Sequence, residues 1–375
     1  MAELPLKGLR VIELARILAG PWAGQTLADL GAEVIKIESK TGDDTRTWGP
    51  PFINTGDETN AAYYHSCNRG KQSVSLDFKD KNDLLKLKNL IASADILIEN
   101  FKVGGLDKYG LDYKTLHNNH PSLIYCSITG FGQTGPYAKR AGYDFLMQGM
   151  SGLMSITGEP DSQPQKVGVA VTDIFTGLYA VIAVQAALRS RDTTGLGQHI
   201  DLSLLDVATA TTANQAMNYL TTGTPPNRRG NNHPNIVPYC AVSTSDGYII
   251  LAVGNDEQFK NFNKIFDVEW YRKDKFKTNP ARLENRDELL NLIEGKTINF
   301  SSADLLIECE NYGVPAGPIN TLEDVFNDPQ ILHRGMKIDL DGVPSVKNPI
   351  IFSDMEMSYD SPSPNLGDSN QKFLK

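Results

Sequence analysis

The sequence predicts an α/β protein that consists of a large Rossmann-like domain, with an open and mostly parallel sheet, and a smaller α+β domain. Strand-like and helix-like segments alternate over about the first 130 residues, which is typical of parallel strands joined by right-handed crossovers. Residues 222–227 are dense in turn formers, and a hairpin pattern and charged helices follow them. The chain length of 375 residues suffices for two domains.

The N-terminal segment predicts a strand, a helix and a second strand. Residues 9–14 have strand composition, and the tripeptide at 19–21 interrupts it. Residues 22–30 then fit a helix that ends before Gly31, since glycine is favoured just past a helix C-terminus. The same alternation continues with strands at 34–38, 73–76, 95–98 and 123–128, and with a helix at 80–92.

The later part of the chain predicts longer helices and then a hairpin. A long helix, a strand and another long helix are expected at residues 174–190, 199–204 and 206–220. Residues 238–253 fit a strand hairpin that turns at residues 245–247, and charged helices follow to about residue 312. The turn formers therefore place a domain boundary after residue 222.

Composition and charge exclude several function classes. The 36 Lys and Arg against 45 Asp and Glu give a net charge of −9, so the chain lacks the broad basic surface of nucleic-acid-binding proteins. The four cysteines lie far apart and no histidine spacing fits a metal site. Charges interrupt the N-terminus, and the longest apolar stretch, residues 177–188, is shorter than the ~20 residues of a membrane span. We expect a cytoplasmic protein with no nucleic-acid, membrane or metal partner.

Two local patterns have both a structural and a functional interpretation. The G-x-G-x-x-G at residues 130–135 lacks the helix and the first-loop position of a dinucleotide site, so a turn is favoured and an NAD-dependent dehydrogenase ranks last. Asp173 begins a predicted helix, where aspartate is a preferred N-cap. A carboxylate there, among small residues, is also suited to attack a carbonyl as a covalent nucleophile. The pattern alone leaves both interpretations of Asp173 open.

Cationic side chains cluster near the predicted carboxyl ends of the strands, where open α/β sheets bind their ligands. Each alone is typical of a solvated surface charge, and together they are suited to phosphate groups. The set comprises Arg16, Lys40, Arg46, Lys71, Lys79, Lys102, Lys108, Lys139 and Arg140.

Several segments together resemble the class III CoA-transferase family, also called CaiB/BaiF. They occur in the family's order over nearly the whole chain, which makes them more specific than any single motif. The matching segments are residues 8–14, 19–21, 30–38, 42–46, 68–71, 99–101, 130–136, 142–144, 167–173 and 313–318.

The resemblance implies a CoA-transferase that moves CoA from an acyl-CoA, with succinyl-CoA and acetyl-CoA as candidate donors, to a small carboxylic or dicarboxylic acid. It places the catalytic aspartate on Asp173, which would form an anhydride and then an aspartyl-CoA thioester. CoA and acyl-CoA are then substrates, and no tightly bound cofactor is expected. The resemblance further implies an interlocked-ring homodimer, whose large domain comprises residues 1–222 and 331–375 and whose small domain comprises residues 223–330.

The resemblance also assigns binding residues. The CoA-contacting positions of the family fall on Ile17, Leu18, Ala19, Leu76, Lys79, Asn100, Phe101, Lys102, Lys108 and Arg140. Lys108 stands where many relatives carry arginine, and lysine lacks the bidentate fork of a guanidinium group. The residues expected at the substrate or in a lid over residues 231–235 are Tyr143, Asp144, Asn232 and His233.

Two alternative functions are open. α-Methylacyl-CoA racemases or epimerases resemble the first domain but carry histidine where this chain has Tyr143. A tyrosine, whose ordinary pKa is about 10, suits proton transfer near neutral pH poorly, so the transferase is favoured. A non-catalytic nucleotide-binding protein is the second alternative, and it would be indicated if Asp173→Ala changed no measurable property.

Overall fold

The structure is a computed structural model that describes residues 3–374. Contacts divide it into two compact units. The first runs to Leu153, takes in Lys166–Ala213 and resumes at Pro329, and the second comprises Met154–Gln165 and Asn214–Asp328. The second unit takes residues 154–165 and 214–222, which were expected in the large domain. Within this unit the side chains of Asn218 and Asn235 exchange hydrogen bonds of 3.0 and 3.3 Å.

Strands and helices are numbered along the chain. The strands are β1 (Arg10–Glu13), β2 (Glu33–Glu38), β3 (Phe52–Thr55), β4 (Glu58–Ala61), β5 (Lys71–Ser75), β6 (Ile96–Glu99), β7 (Ile124–Thr129), β8 (His199–Ser203), β9 (Tyr239–Ser243), β10 (Tyr248–Ala252), β11 (Ala316–Pro318), β12 (Lys337–Leu340) and β13 (Val343–Val346). The helices are α1 (Ala19–Asp29), α2 (Ala62–His65), α3 (Lys81–Ala92), α4 (Tyr113–Asn119), α5 (Asp144–Met150), α6 (Leu153–Ile156), α7 (Val171–Thr194), α8 (Leu204–Ala210), α9 (Ala213–Thr222), α10 (Asp256–Ile265), α11 (Asn279–Glu284), α12 (Arg286–Thr297), α13 (Ser302–Asn311), α14 (Leu322–Asn327), α15 (Pro329–His333) and α16 (Asn370–Phe373).

A six-stranded parallel sheet, in the order β5-β2-β1-β6-β7-β8, forms the centre of the first unit. Strands β6 and β7 are buried over their whole length, as expected of a parallel sheet covered on both faces. One face packs on α1 and α7, for example through Leu27 and Val184, and the other packs on α3 and α4 through Leu87 and Leu116. The chain leaves β1 toward β2 on one side and returns at β6 on the other, so the carboxyl ends of β1 and β6 flank the crevice where such sheets bind ligands.

The six-stranded sheet confirms the predicted α/β class, and two helix predictions are corrected. Helix α1 begins at Ala19 rather than at residue 22, because Pro21 lies in the first turn, where its missing N–H group needs no partner. The single helix predicted over residues 206–220 is wrong. Helices α8 and α9 are separate there, and Ala213 has a φ of 43°, outside the right-handed helical region.

Helix α7 is longer than the apolar stretch at residues 177–188. An 18-residue window of this 24-residue helix has a mean hydropathy of 1.6, which would suffice for a membrane span by length and composition alone. Half of that window is buried inside the protein. Gly177 allows close packing on α1, since a Cβ atom there would lie 2.7 Å from the carbonyl oxygen of Ala19. Asp173 lies one helical turn from this contact.

The C-terminal segment from residue 329 belongs to the first unit. The Ser369 N–H donates to the Ser73 carbonyl at the β5 edge of the sheet (3.0 Å), and the Ser358 N–H donates to the Asp29 carbonyl at the end of α1 (2.9 Å). Strands β12 and β13 form an antiparallel hairpin in this segment. These bonds hold the segment against strand β5 and the C-terminal end of helix α1.

The second unit is built on a three-stranded antiparallel sheet in the order β11-β10-β9. Strands β9 and β10 form the hairpin predicted over residues 238–253. Phe259, Phe262 and Phe276 are fully buried in its core. Arg282 is buried beneath them, where its Nε donates to the Val237 carbonyl at 2.7 Å.

Candidate active site

Asp173 is the third residue of α7 and is not its N-cap. The cap position is Ala170, and the second helical N–H group, that of Thr172, donates instead to Oδ1 of Asp144 at 2.8 Å. The N-cap interpretation of Asp173 is therefore wrong, because a carboxylate 29 positions earlier performs that task. Within residues 3–374, the Asp173 carboxylate receives no hydrogen bond, although it is only 9% exposed.

The environment of Asp173 disfavours its ionised form. Burial, and next the negative charge of Asp144, raise its pKa from 3.8 to about 7. A carboxylate with neither a cation nor a hydrogen-bond donor keeps its lone pairs free, which suits a nucleophile. Perturbed titration of this kind in a cleft is typical of functional carboxylates.

Asp144 and Gln148 position the start of α7. Asp144 lies in the first turn of α5, and its Oδ2 accepts a 2.8 Å hydrogen bond from Nε2 of Gln148. Gln148 is fully buried, and its Oε1 accepts the Val167 N–H at 2.9 Å. Both oxygens of Asp144, predicted as a substrate or lid residue, are thus engaged in holding the chain before Asp173. Sequence reasoning missed Gln148, whose only signal is its spacing of four from Asp144 on one helix.

A cavity of about 410 Å³ opens beside Asp173 in the first unit. Its wall combines the loop after β1, the segment after β6, the turn after β7 and the first turn of α7. The lining residues are Arg16, Ile17, Leu18, Ala19, Asn100, Phe101, Lys102, Val103, Gly105, Ile128, Thr129, Gly130, Ala138, Arg140, Ala141, Gly142, Tyr143, Asp173 and Leu204. The structure therefore brings together Asp173, Tyr143 and seven of the ten predicted CoA contacts.

The remaining three predicted contacts do not line this cavity. Leu76 is 1% exposed and packs in the core between the sheet and α3, so its side chain is not available to a ligand. Lys79 and Lys108 are exposed, and the Lys108 Nζ lies over the Tyr109 ring, 4.9 Å from its centre. The spacing of β-strand ends in sequence cannot show which loops reach one cavity.

The loop after β1 is strained and firmly held. Ile17 has a φ of 73°, which is costly for a β-branched residue. Its N–H donates to Oδ2 of Asp43 at 3.2 Å, and the fully buried Lys36 pairs with the same carboxylate at 2.9 Å. The Asn100 side chain bonds both the N–H and the carbonyl of Arg16, at 3.0 and 2.7 Å. Asp43 and Lys36 were missed as site residues, although they lie in the family-matching segments 42–46 and 30–38.

The nine cationic residues divide into a cavity set, a buried set and an exposed set, the last comprising Lys40, Lys79, Lys108 and Lys139. Arg16, Lys102 and Arg140 line the cavity. Arg46 and Lys71 are instead buried in ion pairs of 2.8 Å with Glu38 and Glu13, so they are neither surface charges nor phosphate ligands. Strand composition cannot separate a buried lysine from a solvated one when its carboxylate partner lies on another strand.

Tyr63 is a further residue near Asp173 that sequence reasoning missed. It is half-buried, and burial, followed by the charge of Asp173, raises the pKa of its phenol to about 12. The phenol therefore stays protonated at neutral pH and remains a hydrogen-bond donor. Its ring packs edge-on against Trp48, with centroids 5.3 Å apart.

The G-x-G-x-x-G segment is a tight turn, as its sequence context favoured. The Gly132 N–H donates to Oγ1 of Thr129 at 2.9 Å, and Gly132 has a φ of 83°. A Cβ atom on Gly130 would lie 2.7 Å from the Cα atom of Gly142. Glycine at position 130 therefore allows these two cavity-lining segments to be in contact. No helix begins within this segment.

The loop of residues 231–235, predicted as a lid, is held by hydrogen bonds within the second unit. The His233 N–H donates to the Tyr239 carbonyl (2.9 Å), and the Arg286 guanidinium donates to the His233 carbonyl (2.9 Å). The side-chain amide of Asn232 donates to the Arg229 carbonyl at 3.2 Å. A lid role for Asn232 and His233 stays a prediction.

Comparisons with known proteins agree over the whole chain. The sequence profile described as CoA-transferase family III matches residues 6–370. The succinate–glutarate CoA-transferase of Agrobacterium fabrum is 55% identical over 379 residues, covering 99% of this chain and 95% of that protein. The succinyl-CoA:glutarate CoA-transferase of Mus musculus is 43% identical, covering 99% and 86%. The crystal structure of a CaiB/BaiF family protein from Brucella suis, 57% identical, matches with a TM-score of 0.90 over 100% of both chains.

Proposed function

This chain belongs to CoA-transferase family III and transfers CoA from an acyl-CoA to a dicarboxylic acid, and we propose that succinyl-CoA is the donor, glutarate the acceptor and Asp173 the nucleophile. The observation that carries the role of Asp173 is its position in the cavity wall, buried and without a hydrogen bond from residues 3–374. The names of the relatives at 55% and 43% identity support the choice of donor and acceptor.

The chemistry proceeds through two kinds of covalent intermediate. An ionised oxygen of Asp173 attacks the thioester carbonyl of succinyl-CoA, forming a C–O bond and breaking the C–S bond, which gives a succinyl-aspartyl anhydride and CoA thiolate. The thiolate then attacks the aspartyl carbonyl and releases succinate, leaving an aspartyl-CoA thioester. The glutarate carboxylate attacks this thioester and expels the thiolate, which next attacks the glutaryl carbonyl, giving glutaryl-CoA and free Asp173.

The surroundings of Asp173 serve each step. A bound acyl-CoA that fills the cavity would displace water from the largely buried Asp173, and water would otherwise hydrolyse the anhydride. Tyr63 interacts with the charge of Asp173 and keeps its phenol proton at neutral pH, so we propose it as the donor for the oxyanion that develops at the attacked carbonyl. Arg16, Lys102 and Arg140 provide cations for the phosphate groups of CoA at the cavity wall.

We further propose the interlocked homodimer that the family resemblance implies. In the single chain, Phe175, Leu178, Tyr179 and Ile182 of α7 are exposed, and Ile182 is 62% exposed. Contiguous apolar side chains on one helix mark a surface that a second copy would cover. Light scattering after size exclusion tests this, since a dimer has twice the chain mass of 41.2 kDa and a monomer would contradict it.

The racemase alternative has no supporting observation in the site. Tyr143, which stands at the racemase histidine position, is 62% exposed. A second acid–base group would need to face the α-carbon of a bound acyl group together with Asp173. Incorporation of solvent deuterium at that carbon would restore this alternative.

Conversion of succinyl-CoA and glutarate to glutaryl-CoA, followed by chromatography, tests the proposed function. Asp173→Ala should lower turnover by about a thousandfold or more, since it removes the nucleophile. Asp206→Asn, which alters an exposed acid in the first turn of α8 away from the cavity, should stay within about twofold of the unaltered protein. Peptide mass spectrometry with hydroxylamine should find a hydroxamate on Asp173.

Three results would contradict this assignment. Turnover that survives Asp173→Ala would exclude Asp173 as the nucleophile. A hydroxamate on another residue would assign the nucleophile to that residue instead. Faster transfer to butyrate than to glutarate would exclude a dicarboxylate preference.

A further inference from the structure

The segment after β6 forms a thin wall between two cavities of the first unit. Phe101, Lys102, Val103 and Gly105 line the cavity that contains Asp173, and the same four residues line a second cavity of about 250 Å³. The Phe101 ring stacks on Phe78, with centroids 6.2 Å apart, whereas the other three residues face open space in two directions. The position of the backbone therefore depends on this ring contact and on the hydrogen bonds at the base of the segment.

Glu99, the last residue of β6, makes the key bond at that base. Its Oε2 accepts the Phe101 N–H at 2.8 Å, and the side chain is only 5% exposed. Glu99 lines the second cavity and does not line the cavity that contains Asp173. Glu99 therefore contacts the wall from the side of the second cavity.

A chain of side chains holds the Glu99 carboxylate. Ser127 is its sheet partner on β7, and the neighbouring Ser127 hydroxyl favours the ionised form of Glu99 by lowering its pKa. Oγ of Ser127 lies 2.9 Å from Nε2 of His199, the first residue of β8. The His199 ring stacks on Tyr113, with centroids 4.6 Å apart. All of these side chains line the second cavity, and none lines the cavity that contains Asp173.

We propose that Glu99 is a positioning residue for CoA binding, whose ionised carboxylate fixes the Phe101 amide and thereby the wall at residues 101–105, with Ser127 and His199 holding it in place. The inference rests on the proposed function, because it takes CoA as the occupant of the cavity beside Asp173. Since Glu99 does not face the reacting atoms, its loss weakens the binding of CoA and succinyl-CoA and leaves turnover at saturating succinyl-CoA unchanged.

Acidification should weaken this support. A neutral carboxyl group is a poorer acceptor for the Phe101 N–H than a carboxylate. Burial, and to a lesser degree Asp201, raise the pKa of Glu99 to about 7, while the Ser127 hydroxyl and the Phe101 N–H oppose the rise. The carboxylate is therefore present above about pH 7 and is lost below it. The titratable and charged groups around it are Lys102, Asp107, Asp112, Tyr113, Lys114, Tyr125, Cys126, His199 and Asp201.

Calorimetric titration of the full-length protein with CoA between pH 6 and 8.5 tests the proposal. Glu99→Gln should raise the Kd about five- to tenfold at pH 8, the loss expected for one charge-assisted hydrogen bond. The ratio of its Kd to that of the unaltered protein should approach one at pH 6, where Glu99 is already neutral. Titration of the CoA phosphate is common to both proteins and cancels in this ratio. Turnover at saturating succinyl-CoA should stay within about twofold of the unaltered protein.

Two further variants sharpen the test. Ser127→Ala removes the neighbouring hydroxyl that lowers the pKa of Glu99, so the weakening of CoA binding should begin at a higher pH. Asp112→Asn is the matched control, because it removes a negative charge from the wall of the same cavity but keeps a side chain that can cap α4. Its Kd should equal that of the unaltered protein.

The outcomes separate this inference from the proposed function. Equal Kd values for Glu99→Gln and the unaltered protein at pH 8, or a loss that is the same at pH 6 and pH 8, overturn the role of Glu99. An equal loss in Asp112→Asn overturns it as well. If Glu99→Gln does not fold, an unmoved pH dependence in Ser127→Ala has the same effect. Failure of the unaltered protein to bind CoA would instead overturn the proposed function.

Discussion

Replacing Asp173 by asparagine should stabilise the protein at neutral and alkaline pH while it abolishes CoA transfer. Asparagine has nearly the same shape but carries no charge, so it removes the cost of burying an ionised group without a partner. The Asp173 carboxylate is 9% exposed and receives no hydrogen bond from residues 3–374. Stability and activity should therefore change in opposite directions.

The size of this effect follows from the pKa of Asp173, which rises from 3.8 to about 7 on folding. Well below pH 4 both the folded and the unfolded protein hold the proton, so ionisation costs nothing. As the pH rises toward 7, the unfolded chain releases the proton first, and stability is lost. Because a tenfold difference in proton affinity corresponds to about 1.36 kcal/mol, the loss reaches about 4 kcal/mol at pH 8, about 1.6 kcal/mol at pH 5 and about 0.6 kcal/mol at pH 4.

Thermal unfolding at one protein concentration measures this difference. Asp173→Asn should raise the Tm by about 3 to 6 °C at pH 8 and by about 1 °C or less near pH 4, for a chain of this length. The exposed control Asp206→Asn should show no such pH dependence. A Tm gain that is equal at both pH values, or a less stable Asp173→Asn protein at pH 8, would refute the argument. Either result would show that the ionised Asp173 carboxylate does not destabilise the folded protein.

Other predictions follow from the same geometry. The rate of transfer should rise with pH through about pH 7 as Asp173 ionises. Asp144→Asn should move this acid limb of the pH–rate profile down by about half to one pH unit, since the Asp144 charge is the smaller of the two causes that raise the Asp173 pKa. A limb that moves upward or stays in place would contradict the assignment of the limb to Asp173. Gly177→Ala should lower kcat by about 10- to 100-fold, because its Cβ atom would lie 2.7 Å from the Ala19 carbonyl oxygen and must shift α7, which carries Asp173. Gly168→Ala, where no atom lies within 4 Å of the added Cβ, is the matched control and should stay near the unaltered rate. Equal kcat values for the two glycine variants would show that the α1–α7 contact does not set the position of Asp173.

Local sequence patterns predicted the parallel sheet because each strand is a compact apolar run that ends at a turn former. They could not locate the N-cap of α7, since its donor Thr172 and its acceptor Asp144 lie on different helices and only folding brings them together. They also placed Lys71 among the surface charges, because its partner Glu13 lies on β1, 58 positions earlier. The role of Asp173 came from the family resemblance rather than from its position, where an N-cap was the simpler interpretation.

The treatment of buried charge around the cavity argues that the state of Asp173 is selected rather than incidental. Lys36, Lys71 and Arg46 are buried nearby, and each contacts a carboxylate within 3.1 Å. The strained Ile17 is likewise secured, by Asp43. The same fold thus supplies partners for charges that only support the cavity, whereas the Asp173 carboxylate, within residues 3–374, has no donor and faces the charge of Asp144. A single hydroxyl or amide directed at Asp173 would relieve that cost but would also occupy the lone pair that must attack the thioester, so a more stable site would be a slower one.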